Sequence, residues 1–326
     1  MISKFLSFFK FGLFIVFLST IAIYYVLFKP IKTENPYIIE VEKGEGFNLI
    51  INDLYQKNLL SSPLLLKVYC RISGKSRHAQ AGEYLLTSSN SSFDLIDNIS
   101  KGKIYYRKIR FKEGDTFNEV LNDLLKNPNI KIENEDLKLT TIFSKLDITN
   151  TSLEGLFHPD TYNFKKGDSY IEILRRSHEK HKQILDEVWK KRSMALPLSN
   201  PYEALILGSI IEKEGVEKKE ISGVFNRRIK LNMKLQSDPT VIFALGKKID
   251  GNIRSKHLIM RHPYNTYFIR GLPPGPIGLV SKSSLEAAVN PHEGTSLYFV
   301  SKGDGFHIFS DTLKDHNNAV KKYQIK

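Results

Sequence analysis

The pattern of apolar and polar positions divides the chain at once. From Phe11 to Phe28, "FGLFIVFLSTIAIYYVLF", there is no charge and no proline, and a helix of that length crosses a hydrocarbon core. Beyond it, short alternations take over. "YIIEVEK" and "KIRFKE" alternate as strands do, and each leads through a glycine into a run of helical period. The two runs, "GEGFNLIINDL" from Gly44 and "GDTFNEVLNDL" from Gly114, keep Gly, Phe, Asn, Asn, Asp and Leu in register. The repeated unit is therefore strand, tight turn, helix. Gly44 and Gly114 supply the turn, and Asp115 and Thr116 suit a first turn or cap.

Between the copies, Pro63 to Ile72 reads as an apolar helix, "AGEYLLT" as a strand and "SSFDLIDNISKG" as a capped helix ending at Gly102. Irregular patterning from 141 to 165, with Gly155 and Pro159 among aromatics, marks a boundary, and a long helix follows from Ser169 to Lys191. The expected fold class is α+β. Residues 1–34 form a cytoplasmic tail and transmembrane anchor, 35–140 a small α/β module, and 141–326 a mixed α/β domain.

A cleaved signal peptide is the rival to an anchor, but its apolar region would be shorter and followed by small residues, whereas "KPIKTENPY" follows here. Lys4, Lys10 and the amino terminus precede the span, while Lys29 and Lys32, offset by Glu34, follow it. That count favours a cytoplasmic amino terminus and a domain outside the cytoplasm. A formal charge of +13 points to a polyanionic partner or surface, and nucleic acid is excluded by that topology. The lone Cys70 rules out a disulfide framework within the chain and is assigned no chemistry.

Candidate chemistry begins at "PYEALILGSIIEKEG", Pro201 to Gly215. On a helix starting at Pro201, Leu207, Ile210, Ile211 and Glu214 share a stripe, and Glu212 falls with Leu205, Gly208 and Ser209. Apolar walls and a position in the last turn both disfavour a carboxylate at Glu214, so its pKa rises toward that of a general acid. The bland alternative is a solvated helix end with Lys213 as partner. "LQSDPTV", "HPYNTY" and "GLPPGPIG" then place polar groups among aromatics in stiff loops.

With Glu214, these segments closely resemble the endolytic murein transglycosylase family, the YceG-like proteins. The likeness runs in order through "AGEYLL", "EGLFHPDTYNF", "SIIEKE", "VFNRR", "LQSDPTVIFALG", "PYNTY", "GLPPGPI" and "LYFVSKGDGFHIFS". The second glutamate of the E-K-E motif, Glu214 here, is implied as the catalytic residue. The family's Asn-Pro-Gly after the proline-rich loop is absent, because the chain reads "GLVSKSS" at 278–284. "FKEGDTFNEVLNDLL" resembles the opening of a LysM module, so a LysM-like glycan-binding fold is expected in the amino-terminal module.

The resemblance implies cleavage within glycan strands at the MurNAc–GlcNAc β-1,4 bond, leaving 1,6-anhydroMurNAc ends, on or at the termination of nascent strands. Gln236, Asp238, Tyr264 and Asn265 are candidates for holding sugar. No metal or cofactor is required. Expected partners are peptidoglycan strands, the cytoplasmic membrane and peptidoglycan synthases. Two rivals remain: a non-catalytic wall-binding anchor, and a zinc peptidase using His178 and His181, one residue short of the H-E-x-x-H spacing.

Overall fold

The computed structural model describes residues 2–77, 79–133, 138–246 and 252–324, with residues 2–6 described by backbone alone. Contacts divide the chain into two compact units, Met1–Arg107 with Asn163–Lys166, and Lys108–Tyr162 with Gly167–Lys326.

The first unit opens with α1, Ile2–Phe28. Its segment Ser7–Phe28 has a mean hydropathy of 2.3 and is long and apolar enough to cross a membrane. Strand β1 (Tyr37–Val41), helices α2 (Phe47–Gln56) and α3 (Pro63–Ile72), strand β2 (Gly82–Leu86) and helix α4 (Ser92–Lys101) follow. β1 and β2 pair antiparallel, with Ile39 opposite Tyr84. The alternation seen in the sequence carries Ile39, Val41, Tyr84 and Leu86 inward, onto Phe47, Ile50, Ile51 and Leu54 of α2. Gly44 makes the turn before α2 at φ +88, and Ser91 and Asp94 form a reciprocal cap on α4, which ends at Gly102 in the left-handed region. Leu27, at the end of the span, and Ile31, just past it, are buried in this same core.

Strand β3 (Arg107–Arg110) straddles the division and leads into α5 (Phe117–Leu125). The sequence placed this second strand–turn–helix copy with the first, ahead of a boundary at residue 140. In the structure it packs with the second unit, for two local reasons. The Phe117 ring stacks on Phe157 at 5.2 Å. The turn at Gly114 also exchanges backbone hydrogen bonds with Leu279: Gly114 N–H donates to the Leu279 carbonyl and Leu279 N–H to that of Asp115, both at 2.8 Å.

The second unit continues through α6 (Leu139–Lys145); β4 (Thr161–Phe164), like β3, straddles the division; then come α7 (Tyr170–Lys190), α8 (Pro201–Glu214), α9 (Lys218–Lys230), α10 (Asp238–Leu245), α11 (Ser255–Leu258), α12 (Lys282–Val289), the antiparallel pair β5 (Tyr298–Ser301) and β6 (His307–Ser310), and α13 (Leu313–Tyr323). Helix α8 is its centre. Asn200 caps it by accepting from Glu203 N–H, with Pro201 as first residue. Ala204 through Ile211 are all buried, under α7, α9, α10 and α12. The glutamates at the end of α8 are thus carried on a rigid element.

Candidate functional site

Because α8 is buried on every side, an apolar stripe does not distinguish its two terminal glutamates. Their partners do. Glu212 faces α12 and the start of α9. It accepts from Ser281 N–H at 2.8 Å and from the Lys218 ammonium at 2.9 Å, and Lys218 also donates to the hydroxyls of Ser281 and Ser283. Burial alone would raise its pKa, but the Ser281 hydroxyl, Lys218 and the Ser281 amide outweigh burial and hold it below the usual glutamate value. Glu212 is a committed carboxylate in a paired, structural position.

Glu214 points elsewhere and is half-buried. Burial pushes its pKa up to about 7; the Ser237 hydroxyl that donates to it pulls the other way, Asp238 pushes it further up, and Arg228 lowers it. No salt bridge to Glu214 occurs among the described residues, in contrast to Glu212. The helix ends here because Gly215 takes an extended backbone, φ 165, against His307. A Cβ on Gly215 would lie 2.8 Å from His307 Cε1, so only glycine allows that approach. His307 is anchored in turn by Glu217, which accepts from its backbone N–H at 2.7 Å and sits 3.0 Å from Nδ1.

The loop that reaches Glu214 is bolted in place. Gln236 takes a left-handed backbone, φ 51, and its N–H donates to the Thr266 carbonyl at 3.2 Å. Ser237 N–H donates to Thr266 Oγ1 at 2.9 Å, and Thr240 Oγ1 lies 2.8 Å from the same hydroxyl. Ser237 occupies the position before the first residue of α10, yet its hydroxyl caps no backbone amide of that helix. It is spent on Glu214 instead.

Of the residues singled out in the sequence, Gln236 and Asp238 are exposed and flank Ser237. Asp238 accepts from the Tyr267 hydroxyl at 2.6 Å. Tyr264 is half-buried, its ring 4.9 Å from Phe243, and its hydroxyl lies against Gly275 of the proline-rich loop, 2.7 Å from where a Cβ would sit. Asn265 is fully buried. Its Nδ2 donates to the carbonyls of Leu258 and Met260 at 3.0 and 2.8 Å, and its Oδ1 accepts from Tyr267 N–H at 2.9 Å. Its amide therefore folds the loop that presents Tyr267 and has nothing left for a ligand.

Sequence reasoning passed over Ser237 and Tyr267 as individual residues, although both lie inside quoted motifs. It also passed over Glu154, whose carboxylate accepts from Phe117 N–H at 3.0 Å, at the start of α5. Burial raises Glu154 to about 7, while the Phe117 amide and Lys213 lower it. The zinc reading receives no geometric support: His178 Nδ1 lies 2.8 Å from the Leu156 carbonyl, His181 is closed inside the core, and no group of three His, Cys, Asp or Glu is placed to hold a metal among the described residues.

A mixed α and β chain with an apolar amino-terminal helix, carrying one protonatable carboxyl at the end of a buried helix, is the class of protein this geometry describes. The chain belongs to the YceG-like family, which it matches over residues 39–322. It is 30% identical over 321 residues to an endolytic murein transglycosylase of Bacillus subtilis, covering 91% of this chain and 88% of that protein. It is 25% identical to an endolytic murein transglycosylase of Streptococcus pneumoniae, covering 90% of this chain but only 60% of the longer relative. A crystal structure of a YceG-like protein from Listeria monocytogenes superposes with a TM-score of 0.56 at 28% identity, over 88% of this chain and 99% of that one.

Proposed function

We propose that this chain is an endolytic murein transglycosylase in which Glu214 is both general acid and general base. The observation that carries the reading is the contrast within one helical turn. Glu212 is neutralised by a cation and an amide, whereas burial raises Glu214 to about 7 with a single hydroxyl for a partner. The family and the names of its relatives support the substrate.

On this reading Glu214 gives its proton to the glycosidic oxygen as the bond from the muramic C1 to that oxygen breaks. The 6-hydroxyl of the same muramic unit then attacks C1, and its proton passes to the Glu214 carboxylate, which restores the acid. No water is consumed. The product carries a 1,6-anhydro ring, and the substrate's own hydroxyl does what a second carboxylate does in most glycoside hydrolases. A hydroxyl held in attacking geometry lowers such a barrier by up to ~7–11 kcal/mol. Ser237 orients the acid, and Asp238 and Tyr267 border the reacting sugar.

The apolar segment Ser7–Phe28 anchors the protein in the cytoplasmic membrane with its bulk outside. The β1–α2–α3–β2 arrangement of the first unit, with its antiparallel pair, supports a LysM-like module that holds glycan near the membrane. Peptidoglycan synthases are the partners expected where nascent strands emerge. The test is mass spectrometry of purified peptidoglycan digested by the protein. Internal cuts with 1,6-anhydromuramic ends are expected, and reducing ends alone would refute the transglycosylase reading.

A further inference from the structure

In the first unit, α3 carries apolar side chains on the face turned away from the core. Leu66 and Cys70 are buried, as the inward side of a surface helix should be. Leu64, Val68 and Ile72 lie four residues apart and so share a face. They are 73%, 46% and 83% exposed, and Leu65 beside them is exposed too. A soluble domain places polar residues on such a face, and a contiguous exposed apolar strip marks an interaction surface. Glycan cleavage makes no use of this one.

The strip runs into the apolar amino-terminal helix. α1 packs against α3 and α4, and Leu27 and Ile31 fix its end in the core that α3 also covers. Tyr69 lies four residues after Leu65 and three before Ile72, so it borders the strip. Its ring is 6.1 Å from that of Phe93, which stacks on Phe28 of α1 at 5.0 Å, and Phe28 is 4.9 Å from Tyr24. Aromatic rings gathered at the end of a span are the composition of a membrane–water interface. Cations border both helices. Lys29 Nζ lies 4.8 Å from the Tyr25 centroid, and Lys29 and Lys32 line a cavity of about 150 Å3 with Asn58 and Ser61. Lys67 and Arg71 each fall three residues after a member of the strip, Leu64 and Val68, and run along its other edge.

We propose that α3 is a second membrane contact, an interfacial helix that lays Leu64, Leu65, Val68 and Ile72 into the leaflet at the carboxy-terminal end of α1. Lys29, Lys32, Lys67 and Arg71 meet the phosphates of anionic lipids there. The inference rests on the reading of α1 as a membrane anchor. An apolar face edged by lysine and arginine is the pattern of a helix lying in the plane of the interface, and its hold strengthens with anionic lipid. A lipid surface fits this face better than a protein does, because the strip is continuous through Tyr69 and Phe93 with a helix whose own side chains face lipid. A single span leaves the domain beyond it free to turn about the helix axis. The contact through α3 removes that freedom and sets which side of the first unit faces away from the membrane.

Photolabelling of the full chain from the lipid phase tests this. The protein is reconstituted in vesicles of phosphatidylglycerol and phosphatidylcholine that contain a phospholipid with a diazirine near the glycerol end of one acyl chain, and adducts are mapped by mass spectrometry. Adducts are expected on residues 63–72 as well as within 11–28. Leu64→Ser, Val68→Ser and Ile72→Ser combined, all at exposed positions, lower the yield on 63–72 on the order of tenfold or more and leave that on the span unchanged. Lys67→Glu with Arg71→Glu lowers it in these vesicles and not in phosphatidylcholine alone. A labelled span with 63–72 unlabelled, the result expected if a protein covers the strip instead, overturns the contact and leaves the anchor standing. Equal yields from the parent and the folded triple variant also overturn it. If neither segment is labelled, the anchor reading falls and the contact with it.

Discussion

The Ser237 hydroxyl donates to Oε1 of Glu214 from the residue that immediately precedes α10, bringing two distant stretches of chain into one hydrogen bond. It is the one hydrogen bond to the Glu214 carboxyl among the described residues, so the pKa of that carboxyl depends on it. Removing it in Ser237→Ala takes away an interaction that lowers the Glu214 pKa and moves it above about 7. An acid loses activity as pH rises through its pKa, so the alkaline limb of the pH–rate profile shifts to higher pH. A purely structural role for Ser237 would lower the rate without moving that limb.

Glu214 also opposes stability. Its folded pKa, about 7, is raised above the unfolded value, so its favourable contribution is complete below the unfolded pKa and is lost as pH rises through about 7. Glu214→Gln, which carries no charge to desolvate, is therefore expected to be more stable than the parent above pH 7, on the order of 1–3 kcal/mol. Thermal midpoints of the two proteins at acid and alkaline pH check this. Equal midpoints across the range would mean that Glu214 is not desolvated.

Glu212→Gln acts on the fold. It breaks the ion pair with Lys218 and weakens the acceptor for Ser281 N–H, at a cost of about 1.5–3 kcal/mol. Denaturant titration should show that loss, with much of the glycan cleavage retained at a temperature where the variant is folded.

His181 is 2% exposed, and neither ring nitrogen has a partner among the described residues. Burial lowers its pKa to about 3, with His178 and His158 adding to the effect. The folded chain keeps the imidazole neutral while the unfolded chain protonates it, so stability present above the unfolded value, near 6.5, is lost as pH falls toward about 3. His181→Leu removes the group and should flatten the stability profile across that window. An unchanged acid slope would place the acid sensitivity elsewhere.

Much of this fold was legible in the sequence because it is written locally. Capping pairs such as Ser91 with Asp94 and Thr116 with Glu119, the turn at Gly44 and the helix from Pro63 to Ile72 are set by neighbours a few residues apart. The sorting of Glu212 from Glu214 is different. The stripe argument picked Glu214, but the carboxyls are distinguished by Lys218, Ser281 and Ser237, and the last two are remote in sequence. Asn265 misled for a related reason. Its motif looks like exposed ligand-binding chemistry, while its side chain is enclosed by the carbonyls of Leu258 and Met260. The second strand–turn–helix copy also packs where Leu279 and Phe157 receive it, which no repeat pattern states.

A chain beginning at Asn35 should be soluble, yet its first unit loses the packing of Leu27 and Ile31 and the backbone hydrogen bond from Ile31 to Asn90. Burying one such side chain is worth roughly 1.5–3 kcal/mol. Chemical denaturation should therefore show a weaker first unit than in a chain beginning at Val26, with cleavage by the second unit retained. Equal stabilities would mean that these contacts contribute nothing.

The central claim is that Glu214 delivers and recovers the proton of glycan cleavage. Its most direct test is the yield of 1,6-anhydromuramic ends, by mass spectrometry, from purified peptidoglycan treated with equal amounts of parent, Glu214→Gln and Glu212→Gln proteins whose folding has been verified. The expected result is abundant internal cuts from the parent, much of that yield from Glu212→Gln, and a loss of ~10²–10⁴-fold or more in Glu214→Gln. Near-normal yield from folded Glu214→Gln, with Glu212→Gln inactive, would contradict it.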